Sequence, residues 1–173
     1  AMHKPIGVTC SRKDQGELVY DLFPERWQKR DPGIATVGRL DKDTSGLLLL
    51  TDDGALLHRI SSPKKAIVKR YLATLARPLE GGEEQVFASG SLMLEGEDKP
   101  LLPARLEVHS STSATVSVSE GRYHQVRRMF AAVGNHVNAL HRISIGGLAL
   151  PADLAPGHYR ELTTEELSAI FET

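Results

Sequence analysis

Cysteine is nearly missing from this chain: Cys10 stands alone among 173 residues, which excludes an internal disulfide framework and fits a reducing cytosol. Long apolar runs are missing too. None approaches the roughly 20 residues that cross a bilayer, and no signal peptide opens the sequence, so a soluble, cytoplasmic protein without a membrane partner is expected. Internal repeats and low-complexity tracts are absent. Net charge is almost absent, at a formal −1, and the total alone gives no reason to expect a polyanionic partner. The length suffices for a sizeable core and predicts one domain, residues 1–173, with two lobes at most.

Charge is unevenly spread along the chain. Residues 54–79 contain no acidic residue but hold Arg59, Lys64, Lys65, Lys69, Arg70 and Arg77. A second acid-free stretch, 121–152, holds Arg122, Arg127, Arg128 and Arg142 with His124, His136 and His141. If these tracts meet on one face they form a phosphate-binding surface despite the neutral total, because local potential steers a polyanion more than net charge does. Scattered solvated side chains are the alternative.

The sequence is organised around Val37-Gly38-Arg39-Leu40-Asp41-Lys42-Asp43-Thr44-Ser45-Gly46, followed by Leu47 to Leu50. Four consecutive leucines without polar alternation predict a strand buried on both faces, which is a rigid mount. The polar run from Asp41 to Ser45, with Gly46, predicts a bend that presents Asp41 at the strand end. Asp41 is the candidate reactive group, although an Asp in a turn often does no more than bond its own backbone.

Other elements follow from spacing. Leu18, Val19, Leu22 and Phe23 predict a short helix, after which Asp31-Pro32-Gly33 breaks the chain. Trp27 is expected to pack. Asp52 or Asp53 is expected to cap a helix from about Gly54, burying Leu56, Leu57 and Ile60. Strands are predicted over 66–76, 92–94, 104–109 and 115–118, and a helix over 80–89. Val126, Met129, Phe130 and Val133 recur at helical spacing and are expected in the core, leaving Arg122, His124 and Arg128 towards solvent or a ligand. Residues 134–147 read as a turn and a strand ending in glycines. Thr163 with Glu166 makes a capping box for a last helix over 164–171. Lys4-Pro5, taken alone, reads as a turn.

Three strings together resemble one family. Gly38-Arg39-Leu40-Asp41 with Thr44, Gly46 and Leu47, then Lys69-Arg70-Tyr71, then Gly121-Arg122-Tyr123-His124-Gln125-Val126-Arg127-Arg128-Met129-Phe130 are similar, in order, to the motifs of the RsuA-type pseudouridine synthases. His3-Lys4-Pro5-Ile6-Gly7 resembles the opening of that family's catalytic domain, and 154–163 its closing segment. The family's small RNA-binding S4 domain has no counterpart in these residues. The resemblance implies an α+β fold with a mixed, largely antiparallel sheet flanked by helices, in two lobes with a cleft. It also implies isomerisation of uridine to pseudouridine in ribosomal RNA. The string from His124 to Val137 is closest to the member acting on small-subunit 16S RNA or its assembly intermediates, with large-subunit 23S RNA as the alternative.

Residue by residue, the resemblance makes Asp41 catalytic, pairs Arg127 with it, and places Tyr71 against the substrate base. Arg39, Lys69, Arg122, His124 and Arg128 become candidate RNA contacts. A guanidinium beside a carboxylate favours its charged form and holds it by two parallel hydrogen bonds. No cofactor or metal is expected, since the isomerisation neither adds nor removes an atom. A monomer is expected. Two other classes remain open on the residues alone. Asp41, Asp43, Asp52 and Asp53 could form a magnesium phosphodiesterase site, and the basic tracts could serve an RNA-binding module without catalysis. A zinc site from His124, His136 and His141 has no Cys pair and no familiar spacing.

Overall fold

A computed structural model describes residues 1–12 and 15–172. In chain order its first elements are β1 (Met2–Lys4), α1 (Glu25–Gln28), β2 (Ala35–Val37), β3 (Thr44–Thr51), α2 (Gly54–Ser61) and β4 (Lys69–Leu75). There follow α3 (Glu83–Ala88), β5 (Arg105–Ser110), β6 (Ser113–Val118), α4 (Gln125–Ala132), β7 (Val137–Ile145), β8 (Leu148–Ala149) and α5 (Thr164–Ala169). The fold is α+β, and the pairs β1/β3, β2/β3, β4/β6, β5/β6 and β7/β8 are antiparallel. The chain divides into two compact units: Ala1–Ile67 with everything from Arg142 onward, and Val68–His141.

In the first unit β3 is the central strand. Leu47, Leu48 and Leu49 are all buried, and because neighbours along a strand point to opposite faces, both faces of β3 are covered. Leu47 and Leu49 pack with Val37, Ile60, Ile145, Leu148 and Ile170. Asp53 caps α2 as expected, its carboxylate accepting from the backbone N–H groups of Ala55 and Leu56 at 3.0 and 3.1 Å. Trp27 packs, with Phe23 and Tyr159 at ring separations of 5.5 and 5.2 Å. Leu18 to Phe23 form a single 3-10 turn, Val19–Leu22, where a short helix was expected. The capping box of α5 is present, with Glu166 also gripped through both carboxylate oxygens by Arg160 at 2.8 and 2.7 Å.

In the second unit the strands lie in the antiparallel order β4-β6-β5, over a core that contains Ala73, Leu75, Ala114 and Val116. Val126, Met129 and Phe130 of α4 close that core, and Phe130 meets Phe87 of α3 edge to face at 5.2 Å. The expected helix over 80–89 is shorter. Glu83 folds its carboxylate back onto the N–H groups of Glu80 and Gly81, both at 2.8 Å, so those residues form a turn before α3. The strand expected over 92–94 is an irregular segment, closed by positive-φ Gly90 and Gly96. The strand expected over 66–76 starts only at Lys69, because Ala66 adopts a left-handed conformation with φ 46°.

Gly46 does not belong to the bend; it lies inside β3, at φ +118°. A Cβ at this position would sit 2.2 Å from the carbonyl oxygen and 2.5 Å from the nitrogen of Arg142, so the glycine lets β7 backbone approach β3. Gly46→Ala is expected to cost about 3 kcal/mol or more, about 6–12 °C in Tm, by both strain and steric overlap. A thermal melt within about 2 °C of wild type contradicts a close backbone approach at this glycine.

Glu166 gives a pH-dependent outcome. Hydrogen bonds from Arg160, then from the Thr163 backbone, lower its pKa from 4.5 to about 2. The folded value lies below the unfolded one, so its contribution is complete above about 4.5 and is lost as pH falls through about 2. The Tm difference between wild type and Glu166→Gln is expected to shrink steadily from about pH 5 to about pH 2, and a difference independent of pH contradicts it.

Candidate functional site

Asp41 sits half-buried on the turn between β2 and β3 in the first unit. Gly38 leaves β2 with φ +70°, Leu40 is buried, and the Leu40 N–H points at the Cys10 sulfur at 3.4 Å. The turn then closes on itself, with the Thr44 N–H donating to the Asp41 carbonyl at 3.0 Å. The Gly7 N–H donates to the Lys42 carbonyl at 2.9 Å. Arg39 is exposed beside the turn.

Beneath this turn lies a residue whose importance the sequence does not announce. Lys4 is fully buried, with 0% exposure, and its ammonium donates to the carbonyls of Thr44, Pro5 and Lys42 at 2.7, 2.9 and 3.4 Å. Burial lowers its pKa from the ordinary lysine value, while the charges of Cys10, Asp41 and Asp43 act to raise it. Lys4 is therefore no simple turn former. It fastens β1 to the carbonyls on either side of Asp43. Lys4-Pro5 in the opening motif was the available signal, but a lysine in a string gives no sign that its ammonium points inward. Arg142 is likewise buried, its Nε donating to the Leu47 carbonyl at 2.8 Å.

In the second unit Lys69 and Tyr71 lie two residues apart on β4, opposite Val118 and Val116, so they share a face. Both are half-buried, and Tyr71 packs against the core of that unit. Arg127 is half-buried on α4, with Nη1 donating to the Val137 carbonyl at 3.2 Å. Arg122 and Arg128 were expected to reach solvent or RNA, but the structure uses their donors internally. Arg122 reaches the Lys99 and Pro100 carbonyls, both at 2.8 Å, and Glu120 at 3.2 Å. Arg128 reaches the carbonyls of Tyr123 and Glu95 at 2.9 and 2.6 Å, and Glu97 at 3.1 Å. His124 is the left-handed residue preceding α4, with φ 48°.

The four aspartates do not act as one cluster. Asp52 pairs with Arg30 and Asp53 caps α2, which leaves a magnesium phosphodiesterase without its donor set. Among the described residues no group of His, Cys, Asp or Glu is arranged to hold a metal ion, and His124, His136 and His141 form no such group. No described helix is long and apolar enough to cross a membrane. A cavity of about 280 Å³ in the first unit, walled by Phe23, Trp27, Leu49, Ile60 and Tyr159, does not include Asp41 and is not where that carboxylate would act.

Residues 1–132 match the family described as RNA pseudouridylate synthase. The chain is 47% identical over 172 residues to ribosomal small subunit pseudouridine synthase A of Escherichia coli (strain K12), covering 98% of this chain and 72% of that protein. It is 46% identical over 171 residues to the protein of the same name from Vibrio cholerae, covering 99% and 73%. Among solved structures, one described as pseudouridylate synthase superimposes with a TM-score of 0.91 at 45% identity, covering 98% of this chain and 71% of that one. The archaeal box H/ACA complex of Nop10 and Cbf5 shares the fold alone, at 18% identity and a TM-score of 0.58.

Lys4→Met removes the donor from three carbonyls while keeping side-chain length. It is expected to destabilise the protein by about 1–3 kcal/mol in urea unfolding and to speed hydrogen exchange at the Thr44 amide, since buried acceptors are left without partners. An unchanged unfolding midpoint with unchanged exchange contradicts the bracing role.

Proposed function

The chain belongs to the RNA pseudouridylate synthase family, in its RsuA-type branch, and from that premise we propose that it isomerises one uridine of small-subunit ribosomal RNA to pseudouridine, with Asp41 as the reacting carboxylate. The observation that carries the assignment is the Asp41 turn itself: a half-buried carboxylate on a mount braced from below by a buried ammonium. The relatives' names support the choice of small-subunit RNA over large-subunit RNA. The cytoplasm, where ribosomal RNA is made and used in bacteria, is the corresponding place of action.

The reaction breaks the C1′–N1 bond, turns the freed uracil, and forms C1′–C5; the proton on C5 leaves and N1 gains one. Nothing is oxidised, so the balance calls for an acid–base group and not for a redox cofactor. Asp41 acts at the sugar or the base, through attack at C1′, addition to the ring, or proton removal. Arg127 is assigned as its counter-charge, where a guanidinium orients a carboxylate better than an ammonium does. Tyr71 is assigned to the face of the flipped uracil. Extruding that base costs about a few kcal/mol, of which one aromatic stack offsets about 1–3. Arg39 and Lys69 are assigned to phosphate or to the space the base vacates. Arg122 and Arg128, whose donors hold neighbouring chain, are assigned to shaping the RNA surface and not to gripping phosphate; His124 belongs to that same surface.

Asp41→Asn is expected to keep affinity for a small-subunit RNA transcript within about twofold, since base and phosphate contacts are retained, and to reduce pseudouridine formation to background. Arg127→Ala is expected to lower kcat by about 100-fold or more with a smaller change in affinity. Chemical mapping of pseudouridine and filter binding read the two quantities separately. Full product yield from Asp41→Asn removes the assignment.

A further inference from the structure

Tyr123 is 76% exposed, further into solvent than Ile6 at 61% or Val108 at 53%. Its ring lies 3.9 Å from that of His124 with only 15° between the planes, so the two form a near-parallel stack. A tyrosine ring left in water forgoes the burial that ordinarily stabilises an aromatic side chain.

The mount beneath the pair is unusually firm. His124 is held left-handed, at φ 48°, a conformation that a non-glycine residue keeps only where its surroundings fix it. Those surroundings are on both sides of the stack. Before it, the Arg122 N–H donates to the Gln125 side chain at 3.0 Å and the Gln125 N–H returns to the Arg122 carbonyl at 3.1 Å. Behind it, Arg128 holds the Tyr123 carbonyl at 2.9 Å through its side chain and the His124 carbonyl at 2.9 Å through its N–H. Arg122 and Arg128 also anchor the 95–100 segment and pair with Glu97 and Glu120. Two carboxylates that would repel a phosphate chain, Glu97 and Glu120, are thereby paired with guanidinium groups.

We propose that Tyr123, backed by His124, is a stacking platform for an unpaired base of the substrate RNA, and so a specificity-determining contact of this enzyme. The inference rests on the reading that the chain acts on RNA. The stacked base is not the reacting uridine, because a ring this open to water cannot enclose a base whose chemistry requires water to be excluded. Every base has a face to stack, so the platform selects for strand that is unpaired at this point, and strand locked in a duplex is disfavoured.

The test compares wild type, Tyr123→Ala and Tyr123→Trp on a small-subunit ribosomal RNA transcript, measuring Kd by filter binding and KM and kcat for pseudouridine. The exposed position keeps all three proteins folded, which a thermal melt checks. Tyr123→Ala is expected to raise Kd and KM by about 5- to 150-fold, the range for loss of one base–aromatic stack, with kcat moving far less. Tyr123→Trp is expected to stay within about threefold of wild type, since a larger ring still stacks. Wild-type affinity in Tyr123→Ala overturns the platform, as does a Tyr123→Trp variant as impaired as the alanine. The two readings fail separately. A wild type that makes pseudouridine while Tyr123→Ala binds normally leaves catalysis standing and removes the platform. A wild type that makes none while Tyr123→Ala loses affinity keeps the platform and removes the catalytic assignment.

Discussion

A buried ammonium under an acidic turn is the constraint on which the first unit depends. Placing a lysine charge out of water costs several kcal/mol, and the fold tolerates it only where full hydrogen bonding offsets the loss. Lys4 meets that condition with three carbonyl oxygens, two of them about forty residues away in sequence. A carbonyl that turns inward to meet the ammonium fixes the peptide plane it belongs to. The carbonyls of Lys42 and Thr44 both turn inward, so the chain between β2 and β3 has little freedom left, and backbone geometry fixes where Asp41 leaves the turn. The same charge attracts Asp41 and Asp43. One side chain thus combines a mechanical and an electrostatic function.

That turn also needs a strand that cannot shift. β3 is fixed on one edge by β1 and along its length by leucines buried on both faces, and Gly46 brings the backbone of Arg142 into direct contact. The Arg142 side chain then donates to the carbonyl of Leu47, so this backbone approach is reinforced by a buried guanidinium. A register slip of one residue would replace Gly46 with a side chain at the point of contact and turn the leucines to the wrong faces. Register and the position of Asp41 are consequently set by the same few residues.

How much of this was readable in the string depended on the range of the interaction. Local signals translated well: the leucine run became β3, Asp53 capped α2, and Thr163 with Glu166 made its box. The helical spacing of Val126, Met129 and Phe130 likewise marked the buried face of α4. Misreadings came where a distant partner decided. Gly46 looked like a turn residue because glycine commonly is, and only β7 shows why it sits in a strand. Glu83 looked like mid-helix until its carboxylate folded back on two amides. Residues 92–94 have a strand's composition but lie between two left-handed glycines, with arginine side chains holding the segment that follows. The family motifs singled out Asp41, Tyr71 and Arg127 as candidates without revealing any supporting contact, and Lys4, which makes three, passed for a turn.

The acid-free tracts show why a run of positive residues is weak evidence for a phosphate surface. In the second tract Arg142 is buried, Arg127 reaches a backbone carbonyl, and Arg122 and Arg128 bind carbonyls and glutamates drawn from elsewhere in the chain. In the first, Arg70 faces Glu107, Arg77 holds the Gly134 carbonyl, and Arg59 lies over the ring of Phe171. A guanidinium offers five donors in one plane and few backbone groups can saturate it, so arginine is well suited to tying loops together. Absence of acid nearby in sequence says nothing about acid nearby in space. The electrostatic footprint left after these pairings is narrower than the tracts suggest: exposed Lys64 and Lys65 in one unit, and in the other half-buried Lys69 and an exposed aromatic ring on a segment whose arginines are ion-paired. Such a surface would recognise RNA more through the shape and stacking of its bases than through the density of its phosphates. Its binding should therefore depend on salt less steeply than the number of basic residues implies, because only cations that replace counterions on the RNA contribute to that slope.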